Sequence, residues 1–125
     1  MVQHIPSSEE LDELKDRIIE LLQEYDLFYD TCIYVNGNRY RADSSAEEGY
    51  VIDYDLDPHD YFEYAPADPE DQYLSMSFEG PLNHVLNYYV GGYDDFIEKF
   101  EKLFAEYGLF FEYGHAWNLS CYLEP

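Results

Sequence analysis

The sequence predicts an α+β fold in a single domain, an antiparallel sheet with about three helices packed on it. Three observations carry this. The chain has 125 residues, enough for one hydrophobic core. Apolar residues recur at helical spacing in two long segments and alternate at strand spacing in several short ones. Each long helical segment is followed by a hairpin pattern, which makes neighbouring strands antiparallel.

The first helix is marked at its start by Ser7 and Glu10 at capping-box spacing, with Glu9, Glu10, Asp12 and Glu13 at the positive end of the helix dipole. Leu11, Leu14, Ile18, Leu21, Leu22 and Tyr25 then form its apolar face. Residues Thr31–Val35 and Arg39–Asp43 alternate around Asn36-Gly37-Asn38, a strong hairpin pattern. Tyr50–Leu56 reads as a strand, with Tyr50, Ile52, Tyr54 and Leu56 on one face. From Asp57 to Gln72 the chain is rich in Pro, Asp and Tyr and reads as a long loop, with a short turn at Tyr61–Tyr64. Leu74–Phe78 is a further strand. Pro81 opens a short helix with Leu82, Val85, Leu86 and Tyr89 inward, stopped by Gly91-Gly92. A second long helix runs from about Tyr93 to Tyr107 on a stripe of Phe96, Phe100, Leu103, Phe104 and Tyr107, and Gly108 ends it. Leu109–Tyr113 and Trp117–Leu123 complete the second hairpin around Gly114-His115.

A shift of 82 residues lays Leu11–Asp30 over Tyr93–Glu112. Asp12/Asp94, Leu21/Leu103, Glu24/Glu106, Tyr25/Tyr107, Leu27/Leu109 and Phe28/Phe110 are identical, and Arg17/Lys99 and Ile18/Phe100 keep their chemistry. Amphipathic helices resemble one another, which accounts for part of the match. The match nevertheless continues beyond the helix, where no helical period imposes it. The expected unit is therefore helix–strand–strand, used twice over residues 11–43 and 93–123, with 44–80 as an acidic, Tyr-rich insert. Whether the two units pair internally or through a dimer is left open, and with it the oligomeric state.

Charge narrows the function. Twenty-eight Asp and Glu face six Lys and Arg, a formal net charge of −22. This argues against direct binding to nucleic acid or to an anionic membrane, because both need Lys and Arg against phosphate. The chain is nonetheless 46% hydrophobic and 19% aromatic, so it has the apolar surface to fold. No apolar run reaches 18 residues, and Met1–Pro6 lacks the basic and apolar regions of a secretory leader. A cytoplasmic protein is expected, with Cys32 and Cys121 as reduced, partly buried thiols.

Chemistry-bearing patterns are few. Asp53-Tyr54-Asp55-Leu56-Asp57 fits the first positions of a calcium loop, but Pro58 stands where that loop needs Gly and Tyr64 where it needs Glu. His4, His59, His84 and His115 have no metal-ligand spacing, and no phosphate loop, dinucleotide fingerprint or nucleophile elbow occurs. No cofactor, no metal and no enzymatic activity are expected.

The positive feature is the acidic, aromatic middle. Between Arg41 and Lys99 there is no basic residue, while fifteen acids fall there. The candidate partner-binding residues are Glu47, Glu48, Asp53, Tyr54, Asp55, Asp57, Asp60, Tyr61, Glu63, Tyr64, Asp68, Glu70 and Asp71. One reading is a solvated loop whose acids confer solubility, or the acidity of a salt-loving protein. The other is a binding face for a basic protein, since carboxylates accept bidentate Arg hydrogen bonds and Tyr rings supply stacking area at low entropy cost. Alternating carboxylates on a strand repeat at a distance comparable with successive phosphates.

In size, acidity and scarcity of Lys the chain resembles DNA-mimic inhibitors, such as phage-encoded anti-CRISPR and anti-restriction proteins. The acids of Glu47–Asp71 carry the likeness, with Glu79, Asp94 and Asp95 as extensions. It is compositional and covers about half the chain. It implies a CRISPR effector nuclease or a restriction enzyme as partner, inhibited at its DNA-recognition groove. The alternatives are an immunity protein or antitoxin that neutralises a basic toxin nuclease, and a secretion-type chaperone with a more apolar face.

Overall fold

The structure is a computed structural model that describes residues 5–54, 73–88, 92–115 and 118–124, the side chains of 87, 88, 114 and 115 excepted. Helix α1 spans Ser8–Glu24. The capping box closes as its spacing predicts: Ser7 Oγ accepts from the Glu10 amide and Glu10 Oε1 from the Ser7 amide, both at 3.1 Å. Strands β1 (Thr31–Val35) and β2 (Asn38–Ala42) follow. Their turn places Asn36 and Gly37 at φ 53° and 77°, the left-handed pair that a two-residue hairpin demands and that Asn-Gly tolerates best. Asn36 also donates through Nδ2 to the Ser8 carbonyl at 2.9 Å, tying the hairpin to the start of α1. Strand β3 covers Tyr50–Asp53 and β4 covers Ser75–Phe78. Helix α2 runs over Pro81–Tyr88, α3 over Asp94–Glu106, β5 over Leu109–His115 and β6 over Asn118–Leu123. The turn expected at Tyr61–Tyr64 lies outside the described residues, as do Leu56, Tyr89, Gly91 and Trp117.

The six strands among the described residues form one antiparallel sheet in the order β3-β2-β1-β4-β6-β5. The α+β class and the antiparallel sheet with three helices among the described residues are those the sequence predicts. Alternation along each strand divides the sheet into two faces. Ile33 and Val35 of β1, Tyr40 of β2, Met76 and Phe78 of β4, Leu119 and Cys121 of β6 and Leu109 of β5 are buried in one core. Leu14, Ile18 and Leu22 of α1, Leu82 and Val85 of α2, and Phe96, Phe100 and Phe104 of α3 belong to the same core. The opposite face is polar at its centre. There Tyr34 and Ser77 share a hydrogen bond of 3.2 Å and Ser75 and Ser120 one of 3.0 Å.

The two long helices pair inside the chain, and their contacts are reciprocal. The Arg17 guanidinium lies 5.7 Å from the Tyr107 ring centre, and the Lys99 ammonium 5.2 Å from that of Tyr25. Arg17/Lys99 and Tyr25/Tyr107 are equivalent under the 82-residue shift, so each helix offers its cation to the other's C-terminal tyrosine. The two contacts run in opposite senses along the chain, so the helices are antiparallel.

The hairpins break this symmetry. Six residues, 25–30, connect α1 to β1, with Asp26 and Asp30 at φ 57° and 48°. Two residues, Tyr107 and Gly108 (φ 72°), connect α3 to β5. In consequence β1 enters the centre of the sheet beside β4, whereas β5 becomes its edge and β6 returns to the centre. Gly80 explains part of the longer link. A Cβ there would stand 2.4 Å from the Tyr29 carbonyl oxygen, so the end of β4 passes this loop at backbone contact.

Candidate partner-binding surface

Four of the thirteen candidate residues lie in described parts of the chain: Glu47, Glu48, Asp53 and Tyr54. Asp55, Asp57, Asp60, Tyr61, Glu63, Tyr64, Asp68, Glu70 and Asp71 lie outside them. Glu47 and Glu48 are exposed on the β2–β3 connection. That connection is held by its own turns. The Asp43 amide donates to the Gly49 carbonyl at 2.9 Å, and Asp43 Oδ1 accepts from the Ser45 amide and hydroxyl at 2.9 and 2.6 Å. These two donors hold the Asp43 carboxyl below the usual carboxylate range. Gln23 Nε2 of α1 donates to the Glu48 carbonyl at 3.1 Å, which fixes the loop against the C-terminal end of that helix.

Asp53 is engaged differently. It is half-buried on the polar face of the sheet, with Arg39 Nε at 2.9 Å from its Oδ2 and Arg41 Nε at 3.7 Å. The register explains this, because Arg39 pairs directly with Asp53 across β2 and β3. The hydrogen bond to Asp53 raises the Arg39 pKa above its ordinary value. Tyr54, the next residue, is 68% exposed. Of the four, Glu47, Glu48 and Tyr54 face solvent and Asp53 serves the sheet.

The remaining cations are also committed within the chain. Lys15 is buried on α1, with Asp16 and Asp12 at 2.6 and 3.1 Å and its ammonium 4.2 Å from the Tyr40 ring centre. Burial lowers its pKa, but the bonds to Asp16 and Asp12 outweigh burial and hold it above the ordinary value. Arg17 pairs with Glu106 and donates to the Tyr107 hydroxyl, which itself donates to Glu13. Lys102 pairs with Glu98 at 2.9 Å, and Lys99 sits over Tyr25. Every Lys and Arg of the sequence thus has an intramolecular partner.

What faces outward is carboxylate. On α1 the exposed acids Glu9, Glu13, Asp16, Glu20 and Glu24 recur every three or four residues and form a row along the helix. Acids four apart on a helix are separated by about 6 Å of rise, again comparable with successive phosphates. Asp94, Asp95, Glu98, Glu101 and Glu106 are exposed on α3 beside it. Gln23 sets Glu48 next to the C-terminal end of the α1 row. The sequence pattern places the acidic surface in the middle of the chain, with Asp94 and Asp95 as extensions, and does not single out the row on α1. Counting only the positions outside the apolar stripe would have found the helical rows.

The polar face also has a depression of about 340 Å³ around Cys32, lined by Tyr34, Arg39, Arg41 and Ser77. Burial raises the Cys32 thiol pKa, and the hydrogen bond from Ser77 and the arginine charges only partly offset it. This is the reverse of the activation that a nucleophilic thiol requires. Among the described residues no three His, Cys, Asp or Glu side chains are grouped to hold a metal ion, and no helix is long and apolar enough to cross a membrane. The chain matches no protein-family model, no curated protein and no solved structure.

Proposed function

We propose that the protein is a non-enzymatic acidic inhibitor that acts by DNA mimicry. It occupies the DNA-recognition groove of a basic nucleic-acid-binding nuclease, of the CRISPR-effector or restriction-enzyme kind, in competition with DNA. One observation carries the reading: all six basic side chains are paired inside the chain, while exposed carboxylates run along α1 and α3 and onto the β2–β3 loop. A surface rich in carboxylates and held on rigid elements suits a groove built for phosphates, and like-charge repulsion on the free domain is relieved when a cationic partner binds. Glu20, Glu24, Glu47 and Glu48 are exposed acids at and beside the C-terminal end of the α1 row, where Gln23 holds the β2–β3 loop against the helix.

The test is direct. The protein is titrated into a panel of CRISPR effectors and restriction nucleases, and binding of labelled duplex DNA is followed. Loss of DNA binding in competition with the protein is expected, weakening steeply as salt is raised. Unchanged DNA affinity across the panel would sink the reading. Reversing Glu20, Glu24, Glu47 and Glu48 to Lys should leave the circular dichroism spectrum intact and weaken inhibition by at least about tenfold.

A further inference from the structure

The two edges of the sheet differ. β3 is four residues long, all of them half-buried, and it ends on the ion-paired Asp53. β5 is seven residues long, and Phe110 and Glu112 point to the polar face. It contains neither Lys nor Pro, the residues that ordinarily protect an edge from pairing. Its one irregularity is the register shift between Tyr113 and His115, which leaves residues 109–113 as regular strand.

Hydrogen bonding across β6 shows which groups of β5 point outward. Cys121 directs both backbone groups away from β5: its amide donates to the Leu74 carbonyl at 2.8 Å and its carbonyl accepts from the Tyr73 amide at 3.2 Å. Phe111, opposite Cys121, therefore belongs to a non-hydrogen-bonded pair and aims its N–H and C=O at the open edge. The Glu124 amide donates to the Gly108 carbonyl at 2.9 Å, which places Leu109 in the same outward phase. Beside this edge lies a groove of about 620 Å³ between β5 and the helices, lined by Leu86, Ile97, Ala105, Leu109 and Phe111. Glu101 is also on its wall, and the one cation there, Lys102, is paired with Glu98.

We propose that β5 is a docking edge for an extended basic segment of a partner protein, which adds as a seventh strand. Its alternate apolar side chains enter the groove between β5 and α3, and its intervening Lys or Arg side chains lie on the opposite face beside Glu112. Charge complementarity selects this occupant. A second copy of the chain would bring another net charge of −22 against an edge that carries no unpaired cation. The inference does not rest on the nuclease reading, since its contact is a strand edge and an apolar groove, although Glu101 of α3 belongs to both surfaces.

The test uses the full chain, isotope-labelled, and the peptide acetyl-Lys-Val-Lys-Val-Lys-Val-Lys-amide. A peptide of the same composition with its valines in one block is the control. Exchange of the Phe111 and Leu109 amide hydrogens is expected to slow by at least about tenfold with the alternating peptide and not with the blocked one. Ala105→Trp, which fills the groove from an exposed helical position, should abolish that protection, and Ala105→Ser should keep it. The proposal is overturned by equal protection from both peptides, by no protection up to millimolar peptide, or by protection that survives Ala105→Trp. Phe111 protection in the free protein that grows with protein concentration would assign the edge to self-association and overturn it as well.

Discussion

The helix–hairpin unit at residues 8–42 and the one at 94–123 are built from one sequence pattern, yet they occupy the sheet in opposite ways. Their helices meet as near-equivalents, with Arg17 against Tyr107 and Lys99 against Tyr25. Their hairpins do not. In the first unit the strand that follows the helix is central, and in the second it is the edge. Leu27-Phe28 lies in a loop and Leu109-Phe110 in a strand, though Leu27 and Leu109 are equally buried, at 1% exposure each. The repeat therefore keeps the burial of its leucine but not that of the aromatic after it, since Phe28 is in the core and Phe110 is on the polar face, and the connections differ in length. Six residues allow β1 to reach the centre of the sheet, and two do not allow it for β5.

The largest expected difference between the units lies in their helices. Phe100 and Ile18 are equivalent and both fully buried. Phe100 also touches the rings of Phe96, Phe104 and Phe111, with centroids 4.9–5.3 Å away. Phe100→Ala should cost about 4 kcal/mol and Ile18→Ala about 3 kcal/mol, because truncation at Phe100 also removes ring–ring contacts. Urea unfolding of both variants measures this. Equal losses would mean that the aromatic cluster contributes only buried area and that the units are energetically interchangeable.

What was legible in the sequence was what is local. The capping box at Ser7 and Glu10, the Asn36-Gly37 turn and the Phe stripe of α3 depend on neighbours within a few residues, and each forms as its spacing predicts. Strand order depends on contacts far apart in sequence, so β4 between β1 and β6 was not readable. Lys15 escaped for a related reason. Its burial needs Tyr40 from a strand 25 residues away, and no helical pattern announces it. For the candidate surface, Glu47, Glu48 and Tyr54 are exposed, whereas the engagement of Asp53 follows from a β2–β3 register that alternation alone left undetermined.

The inner strands of the two hairpins supply a second contrast, smaller and pH-dependent. Cys32 of β1 lies on the polar face and Cys121 of β6 in the core, so the two thiols stand on opposite sides of the sheet. Burial pushes both pKa values up, far more for Cys121, which has no compensating hydrogen bond. The sign follows from linkage: below the ordinary thiol value of 9.0 both folded and unfolded chains hold the proton, and stability is unaffected. As pH rises past it, the unfolded chain loses the Cys121 proton while the folded chain keeps it. Stability should then fall by up to about 1.4 kcal/mol per pH unit from this group. Lys15 and Tyr107, whose pKa values are also raised, add to the alkaline decline. Cys121→Ala should flatten the slope of unfolding free energy between pH 9 and 10.5 clearly more than Cys32→Ala. Equal flattening by both substitutions would contradict the difference in burial.

The smallest effect tests the symmetry itself. If the helix pair were energetically symmetric, Arg17–Tyr107 and Lys99–Tyr25 would couple equally. The surroundings argue otherwise. The Arg17 guanidinium is held by the Glu106 carboxylate and the Tyr107 hydroxyl, and that hydroxyl is fixed in turn by Glu13. Lys99, by contrast, is an exposed ammonium whose hydrogen bond and ring contact are both with Tyr25. The Arg17 side chain is itself 42% exposed, so solvent screening reduces its coupling to about 0.5 kcal/mol. Double-mutant cycles of Arg17→Ala with Tyr107→Phe and of Lys99→Ala with Tyr25→Phe should give a measurable coupling for the first and none for the second. Adding 0.5 M salt should leave most of the first coupling in place, because it joins the guanidinium to a buried, neutral hydroxyl rather than to an exposed charge. A Lys99 coupling as large as that of Arg17 would show that geometric reciprocity extends to energy, and that the two units diverge only in their hairpins.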